Sequence, residues 1–235
     1  MLLPDNRVVM ISGANRGIGL AIAKRLSQAG YRLSLGAREP SKINSDDFAG
    51  DTTVHQYDAT DRQAANNWVE ATLDQMGSID AVVLNAGVLK PVGIEDVDEE
   101  SLDLMWEVNF KAPLRLTSAA LPSLKQCKNG RVINLVSLSG KRVMSGGNLG
   151  YCASKYAALS LTHAIRQDGW SNGIRATAIC PGLVDTDMVS TVKTPEGEFK
   201  ITPEAIAETA AYALSLPADA SVAEILVNSR AESMF

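Results

Sequence analysis

Tyr151 and Lys155 are spaced so that they could transfer a proton together, because residues four apart lie on one face of a helix. A free tyrosine has a pKa of about 10 and is a poor base near neutral pH. A neighbouring ammonium stabilises the phenolate, so we expect Lys155 to lower the pKa of Tyr151. Ser137, at the end of an apolar run, could donate a hydrogen bond to a reacting oxygen and polarise it, and Ser139 competes for that role. Taken alone, a tyrosine and a lysine at this spacing are more often a surface pair, so this interpretation depends on the rest of the chain.

A glycine-rich stretch near the start of the chain, SGANRGIG, places Gly13, Gly17 and Gly19 between an apolar run and a helix-like segment. Glycine lets the chain turn sharply, lets backbone approach a pyrophosphate and lets the following helix pack close to a sheet. The positive end of that helix would then face the phosphates. A glycine-rich turn could also be an ordinary connection, but its place after a strand and before a helix predicts nucleotide binding.

The elements that must position these residues alternate along the chain. Short runs rich in Val, Ile and Leu predict strands at residues 8–11, 32–35, 53–57, 81–84, 132–136, 174–179 and 224–227. Helical patterns lie between them at residues 18–29, 62–76, 99–125, 151–168 and 203–214. Such alternation needs crossover connections, which favour a parallel sheet covered on both faces. We predict one α/β domain over residues 1–235, a Rossmann-type doubly wound fold. Its sheet would be mainly parallel and seven-stranded with helices on both faces, and an irregular substrate loop would span about 187–202.

Composition excludes several classes of function. The chain has 235 residues, 46% of them hydrophobic, which suits one well-buried core. Lys and Arg number 22 against 27 Asp and Glu, a net charge of −5 without a basic block, so we expect no nucleic-acid partner. No apolar run approaches the ~20 residues that span a bilayer, and the first motif begins within about a dozen residues, so we expect no signal peptide, no membrane contact and a cytoplasmic location. Three cysteines without CxxC spacing and two histidines predict neither a metal site nor disulfides.

The glycine spacing resembles the TGxxxGxG turn of the short-chain dehydrogenase/reductase family, with Ser12 where that family usually has Thr. Six further motifs resemble that family in chain order, so that the likeness covers residues 8 to about 188: YDATD, LNAG, VNF, NLVSLSG, YCASK and PGLVDT. Leu84 replaces the first Asn of the family's NNAG. Asn134 and Gly140 frame Ser137 as in the family's NxxS and SxxG, which favours Ser137 over Ser139.

The resemblance implies a nicotinamide cofactor that supplies a hydride, while the protein supplies orientation and a proton. The positive ring of the oxidised cofactor would also lower the pKa of Tyr151. The resemblance further implies that Lys155 binds the nicotinamide ribose and that Asn109 holds a proton-relay water. The catalytic set is therefore Asn109, Ser137, Tyr151 and Lys155. The cofactor-binding set is Gly13, Asn15, Arg16, Gly17, Ile18, Gly19, Arg38, Asp58, Ala59, Asn85, Ala86, Gly87, Tyr151, Lys155, Pro181, Gly182, Val184 and Thr186.

Cofactor choice depends on the position about 20 residues after the glycine turn, where an acid selects NAD and a nearby arginine accommodates the 2′-phosphate of NADP. Ala37 occupies that position, and Arg38 follows it. Arg16 lies where the family's NADP users often place a second cation. Glu39 could instead reach the ribose. We predict NADP(H) as the preferred cofactor, with NAD(H) as the alternative.

These features together predict an NADP(H)-dependent oxidoreductase that interconverts a carbonyl and an alcohol of a small molecule, as a homodimer or homotetramer. One alternative is a protein of the same fold that senses NADP(H) without turnover, although the intact Ser137, Tyr151 and Lys155 argue against it. Another is a sugar-nucleotide epimerase or dehydratase. Those chains usually carry an additional substrate domain that 235 residues cannot hold.

Overall fold

Residues 1–190 and 199–231, which the computed structural model describes, contain a parallel sheet of seven strands. The strands are β1 (Val8–Ser12), β2 (Arg32–Ala37), β3 (Thr52–Gln56), β4 (Ala81–Leu84), β5 (Arg131–Leu135), β6 (Arg175–Pro181) and β7 (Glu224–Val227). Their order is β3-β2-β1-β4-β5-β6-β7, and every neighbouring pair is parallel. The predicted doubly wound fold is confirmed, and the sheet is parallel throughout.

Helices connect the strands close to the predicted positions. They are α1 (Gly17–Gln28), α2 (Ala64–Met76), α3 (Glu99–Trp106), α4 (Ala112–Gln126), α5 (Leu149–Gly169) and α6 (Pro203–Ser215). Each strand buries alternate side chains on opposite faces of the sheet. Val9 and Ile11 of β1 face α1 and α6, whereas Met10 faces α2, α4 and α5.

The helical pattern predicted over residues 99–125 is present, but it is divided into two α-helices. A π-helical turn, Glu107–Lys111, separates α3 from α4. Pro113 explains the position of this turn, because it has no N–H to donate to the carbonyl of Asn109 four residues earlier and its ring would clash there. The wider turn directs the Asn109 side chain into the protein, where it is 2% exposed.

The chain winds outward from β1 to β3 and then crosses back to β4, so that the strand order reverses between β1 and β4. The loops that leave the carboxyl ends of these two neighbouring strands therefore run in opposite directions. In open parallel sheets, ligands bind in the crevice that this reversal creates. The fold thus places the glycine-rich turn after β1 and the LNAG motif at the end of β4 on the two sides of one crevice.

Two hydrogen bonds between the Ser123 side chain and the Ile79 backbone hold α4 against the segment that enters β4. The Ser123 hydroxyl accepts from the Ile79 N–H at 2.8 Å and donates to the Ile79 carbonyl at 3.1 Å. Ser123→Ala leaves both buried backbone groups unpaired and should lower the free energy of unfolding by about 1–3 kcal/mol. Urea unfolding measures this loss. Ser160→Ala is the control, because the exposed Ser160 hydroxyl bonds only within its own helix, and an equal loss in both variants would contradict the prediction.

Candidate active site

A cavity of about 1100 Å³ opens at the carboxyl edge of the sheet. Sites for one small molecule usually measure roughly 300–1,000 Å³, so this cavity has room for a nucleotide and a second ligand. All of the predicted site residues except Gly19 and Asn109 line it. The topology explains this convergence, because the carboxyl ends of parallel strands lie at one edge of the sheet.

Gly19 contributes through packing rather than through contact with the cavity. A Cβ atom at Gly19 would overlap the Gly13 carbonyl oxygen and lie 2.5 Å from the Asn85 amide nitrogen. That amide donates to the carbonyls of Ser12 and Gly13, at 2.9 and 3.1 Å. The Ser12 hydroxyl in turn accepts from the backbone N–H groups of Asn85 and Ala86. The glycine-rich turn and the end of β4 are thereby fixed to each other.

The start of α1 fits a diphosphate group. Its first turn carries no acidic residue, and no side chain caps the N-terminal N–H groups at Arg16. Gly13 and Gly17 have φ values of +68° and +53°, a conformation that favours glycine. The first turn of α1 therefore presents unpaired N–H donors and the positive end of the helix dipole to the cavity.

Tyr151 and Ser137 are neighbours in the cavity wall. The Tyr151 side chain is 9% exposed. Burial raises the pKa of Tyr151 to about 12, although the nearby Ser137 hydroxyl lowers it. The Tyr151 pKa thus lies above its usual value and not below it as expected, because burial outweighs the groups that lower it. The Ser137 Oγ accepts from the Ser139 N–H at 3.0 Å, which orients it.

Lys155 lies one turn after Tyr151 on α5, with its Nζ 5.8 Å from the centre of the tyrosine ring. The side chain is buried, and Nζ donates to the Leu135 carbonyl at 2.8 Å. Burial lowers the pKa of Lys155 to about 8. Lys155 is therefore still a cation at neutral pH, although burial makes its charged form less stable.

Asn109 does not line the cavity and acts from behind it. Its amide accepts from the Val88 N–H and donates to the Val88 carbonyl and to the Ser154 hydroxyl, all at 2.9 Å. Ser154 donates to the Tyr151 carbonyl at 2.8 Å. These bonds tie the loop after β4 to α5 and make Asn109 a positioning residue. The role of Asn109 in holding a water remains a prediction. Sequence analysis missed Ser154, and the only available signal was its position three residues after Tyr151.

The part of the cavity that is lined by the residues after β2 carries several charged side chains, and the sequence analysis did not predict how they pair. Arg38, Glu39 and Lys42 all line it. The Lys42 Nζ donates to the Glu39 carboxylate at 2.9 Å, and this bond holds the pKa of Glu39 below its usual range. The Asp58 carboxylate accepts from the N–H and the hydroxyl of Thr60. The short 3-10 turn Pro40–Lys42 brings Lys42 back to Glu39, and the i, i+3 spacing was the available signal.

Arg16 and the loop after β6 meet across the cavity mouth. The Arg16 guanidinium pairs with the Asp187 carboxylate at 3.1 Å, and both side chains are largely exposed. Of the loop predicted over 187–202, Asp187–Val189 forms a 3-10 turn and Ile201 pairs with Val184. Residues 191–198 of that loop lie outside the described residues, so the loop's role in covering substrate stays a prediction.

Across residues 1–190 and 199–231, no helix is both long and apolar enough to cross a membrane. Within the same ranges, no three His, Cys, Asp or Glu side chains are grouped so that they could hold a metal ion. The three cysteines are unpaired thiols.

The buried Lys155 should make stability depend on pH. Between about pH 8 and the ordinary lysine value of 10.5, the unfolded chain binds a proton that the folded protein does not, so stability rises with pH. Wild type should therefore gain up to about 3 kcal/mol relative to Lys155→Met between pH 7.5 and 10.5. Urea unfolding at both pH values measures the gain. Lys125→Met, which removes an exposed lysine from α4, is the control, and a pH-independent difference for Lys155→Met would refute the assignment.

Comparison with known proteins agrees with this geometry. A family model described as short chain dehydrogenase matches residues 7–197. An agropine synthesis reductase of Rhizobium rhizogenes is 38% identical over 213 residues, which cover 89% of this chain and 49% of the relative. The chain thus spans about half the length of that relative. An uncharacterized oxidoreductase of Staphylococcus saprophyticus is 32% identical over 229 residues, covering 95% of this chain and 97% of the relative.

Solved structures show the same likeness over nearly the whole chain. An alcohol dehydrogenase from the archaeon Thermococcus sibiricus, complexed with 5-hydroxy-NADP, is 31% identical with a TM-score of 0.85, covering 96% of this chain and 99% of that chain. A metagenomic short-chain oxidoreductase in complex with NADP is 26% identical with a TM-score of 0.83, covering 98% and 100%. The family model, the similarity in sequence and the shared fold together show that this chain belongs to the short-chain dehydrogenase family.

Proposed function

We propose that the protein is an NADP(H)-dependent oxidoreductase that interconverts a carbonyl and an alcohol. The observation that carries the proposal is the placement of Ser137, Tyr151 and Lys155 in the wall of a cavity that also contains the glycine-rich turn. Relatives with solved structures hold NADP or 5-hydroxy-NADP, which supports a nicotinamide cofactor here. When bound, this cofactor supplies the hydride.

The residues of the chain supply the proton and the orientation. Ser137 and Tyr151 are neighbours in the cavity wall, so a carbonyl oxygen placed against both hydroxyls would accept two hydrogen bonds that polarise it. With its pKa raised to about 12, Tyr151 is protonated at neutral pH. It is therefore ready to donate a proton to the oxygen as the alcohol forms. Lys155, next to the ring, would then stabilise the resulting phenolate.

The charged side chains after β2 support NADP(H) over NAD(H). Ala37 places no carboxylate beside the ribose, and Arg38 offers a planar fork of donors to a 2′-phosphate. Glu39, the acid that could select NAD, pairs with Lys42, but both side chains are largely exposed and the pair is weak. The Arg16–Asp187 pair is exposed, and such pairs are worth about 0–1 kcal/mol, so a phosphate could displace Asp187 from Arg16.

Tyr151→Phe tests the proton donor. The variant keeps the ring but loses the hydroxyl, so kcat/KM for a carbonyl substrate should fall at least about 100-fold. The dissociation constant of NADPH should change less than about twofold, since the glycine turn and α1 hold the cofactor. Tyr156→Phe is the matched control, because Tyr156 lies on the same helix and is 44% exposed. Wild-type turnover in Tyr151→Phe would show that the mechanism is wrong.

Arg38→Ala tests the cofactor preference without any knowledge of the substrate. Hydrogen bonds to charged groups contribute about 1.5–3 kcal/mol, so the variant should bind NADPH at least about tenfold more weakly and leave NADH binding nearly unchanged. Quenching of tryptophan fluorescence by each nucleotide measures both affinities. Arg62→Ala removes an exposed arginine that does not line the cavity and serves as the control. A wild-type protein that binds NADH more tightly than NADPH would overturn the assignment.

A further inference from the structure

The cavity also includes a wall that the cofactor positions do not account for. Most of the residues that line this wall are apolar. They are Leu89, Leu104, Val108, Leu138, Met144, Leu183, Met188, Val189 and Phe199. The wall therefore offers a second ligand more apolar surface than the part that carries Arg38 and Lys42.

Three large apolar side chains of this wall are exposed to solvent. Met144 is 61% exposed, Met188 is 46% exposed and Phe199 is 77% exposed. They come from three separate segments: the connection between β5 and α5, the turn after β6 and the residues before α6. Apolar side chains left exposed around one cavity, while the cores of the fold are closed, are typical of a binding surface. The mouth of the cavity thus has surface that an apolar ligand would cover.

Some of the charged side chains near the mouth of the cavity already form ion pairs with each other. The Asp185 carboxylate accepts from Lys200 at 3.4 Å, and Asp187 pairs with Arg16. Arg142, which also lines the wall, is 8% exposed and presents little of its charge to a ligand. The neutral polar residues Ser139, Asn148 and Ser229 complete this part of the lining together with Arg230. Met144, Met188 and Phe199 therefore expose apolar surface beside carboxylates that are largely exposed but already paired.

We propose that the substrate is an aldehyde or ketone with an apolar substituent, roughly the size of a phenyl ring or a six-carbon chain, which packs on Met144, Met188 and Phe199. This rests on the function proposed above. The carbonyl carbon accepts a hydride from NADPH and its oxygen accepts the Tyr151 proton, so the products are an alcohol and NADP⁺. Because methionine is unbranched and adapts its shape, the site accepts both aryl and alkyl groups.

The test is a series of methyl ketones from 2-butanone to 2-nonanone, with acetophenone, followed through the absorbance of NADPH. Each added methylene that is buried should raise kcat/KM by roughly fourfold until the wall is covered. 2-Octanone should exceed both 2-oxooctanoate, in which a carboxylate replaces the methyl group, and dihydroxyacetone, which has no apolar chain.

Variants locate the site. Phe199→Ser and Met188→Ser should each reduce the advantage of 2-octanone over 2-butanone by at least about threefold. Tyr212→Ser is the matched control, because Tyr212 is 54% exposed on α6 and does not line the cavity. A flat ketone series, a preference for 2-oxooctanoate, or an equal effect of all three variants would overturn the substrate class and leave the proposed oxidoreductase intact.

A different result would separate the two proposals. If NADPH binds but no carbonyl compound is reduced, the proposed function fails. Calorimetry of 2-octanol against the NADPH complex then decides the apolar site. Binding that Phe199→Ser weakens and Tyr212→Ser does not weaken supports the site, and undetectable binding of 2-octanol at millimolar concentration overturns it.

Discussion

The absence of a side chain at Gly19 is the constraint on which the site depends. At this point the turn after β1, the start of α1 and the end of β4 meet, and the Gly13 carbonyl and the Asn85 amide occupy the place of a Cβ atom. The close approach lets Asn85 bond both carbonyls of the turn and sets the direction in which α1 leaves the sheet. The first N–H groups of α1 therefore point into the crevice between β1 and β4.

Burial has opposite consequences for the two central ionisable side chains. It raises the pKa of Tyr151 and lowers that of Lys155, because each neutral form is favoured away from water. A protonated phenol next to an ammonium group, whose charged form burial disfavours, is suited to donating a proton. Asn109 supports the arrangement from behind, since its bonds to Val88 and Ser154 join the loop after β4 to the helix that carries both groups.

The cavity lining has two chemically different parts. Arg38 and Lys42 are cationic, and Lys42 pairs with the Glu39 carboxylate. Met188 and Phe199 present apolar surface to solvent. An anionic cofactor would therefore be attracted to the cationic side chains, and an apolar second ligand would bind by burying the apolar side chains.

The sequence by itself determined the elements, their order and the residues that the cavity would collect. Short apolar runs located all seven strands within a few residues, and the carboxyl ends of parallel strands must share one edge, so the separated motifs had to meet. Tertiary structure alone decided the bonds of Asn109 to Val88 and Ser154, the pairing of Arg16 with Asp187 and the direction of the Tyr151 pKa. These depend on burial and on contacts between distant segments, which local sequence patterns do not encode.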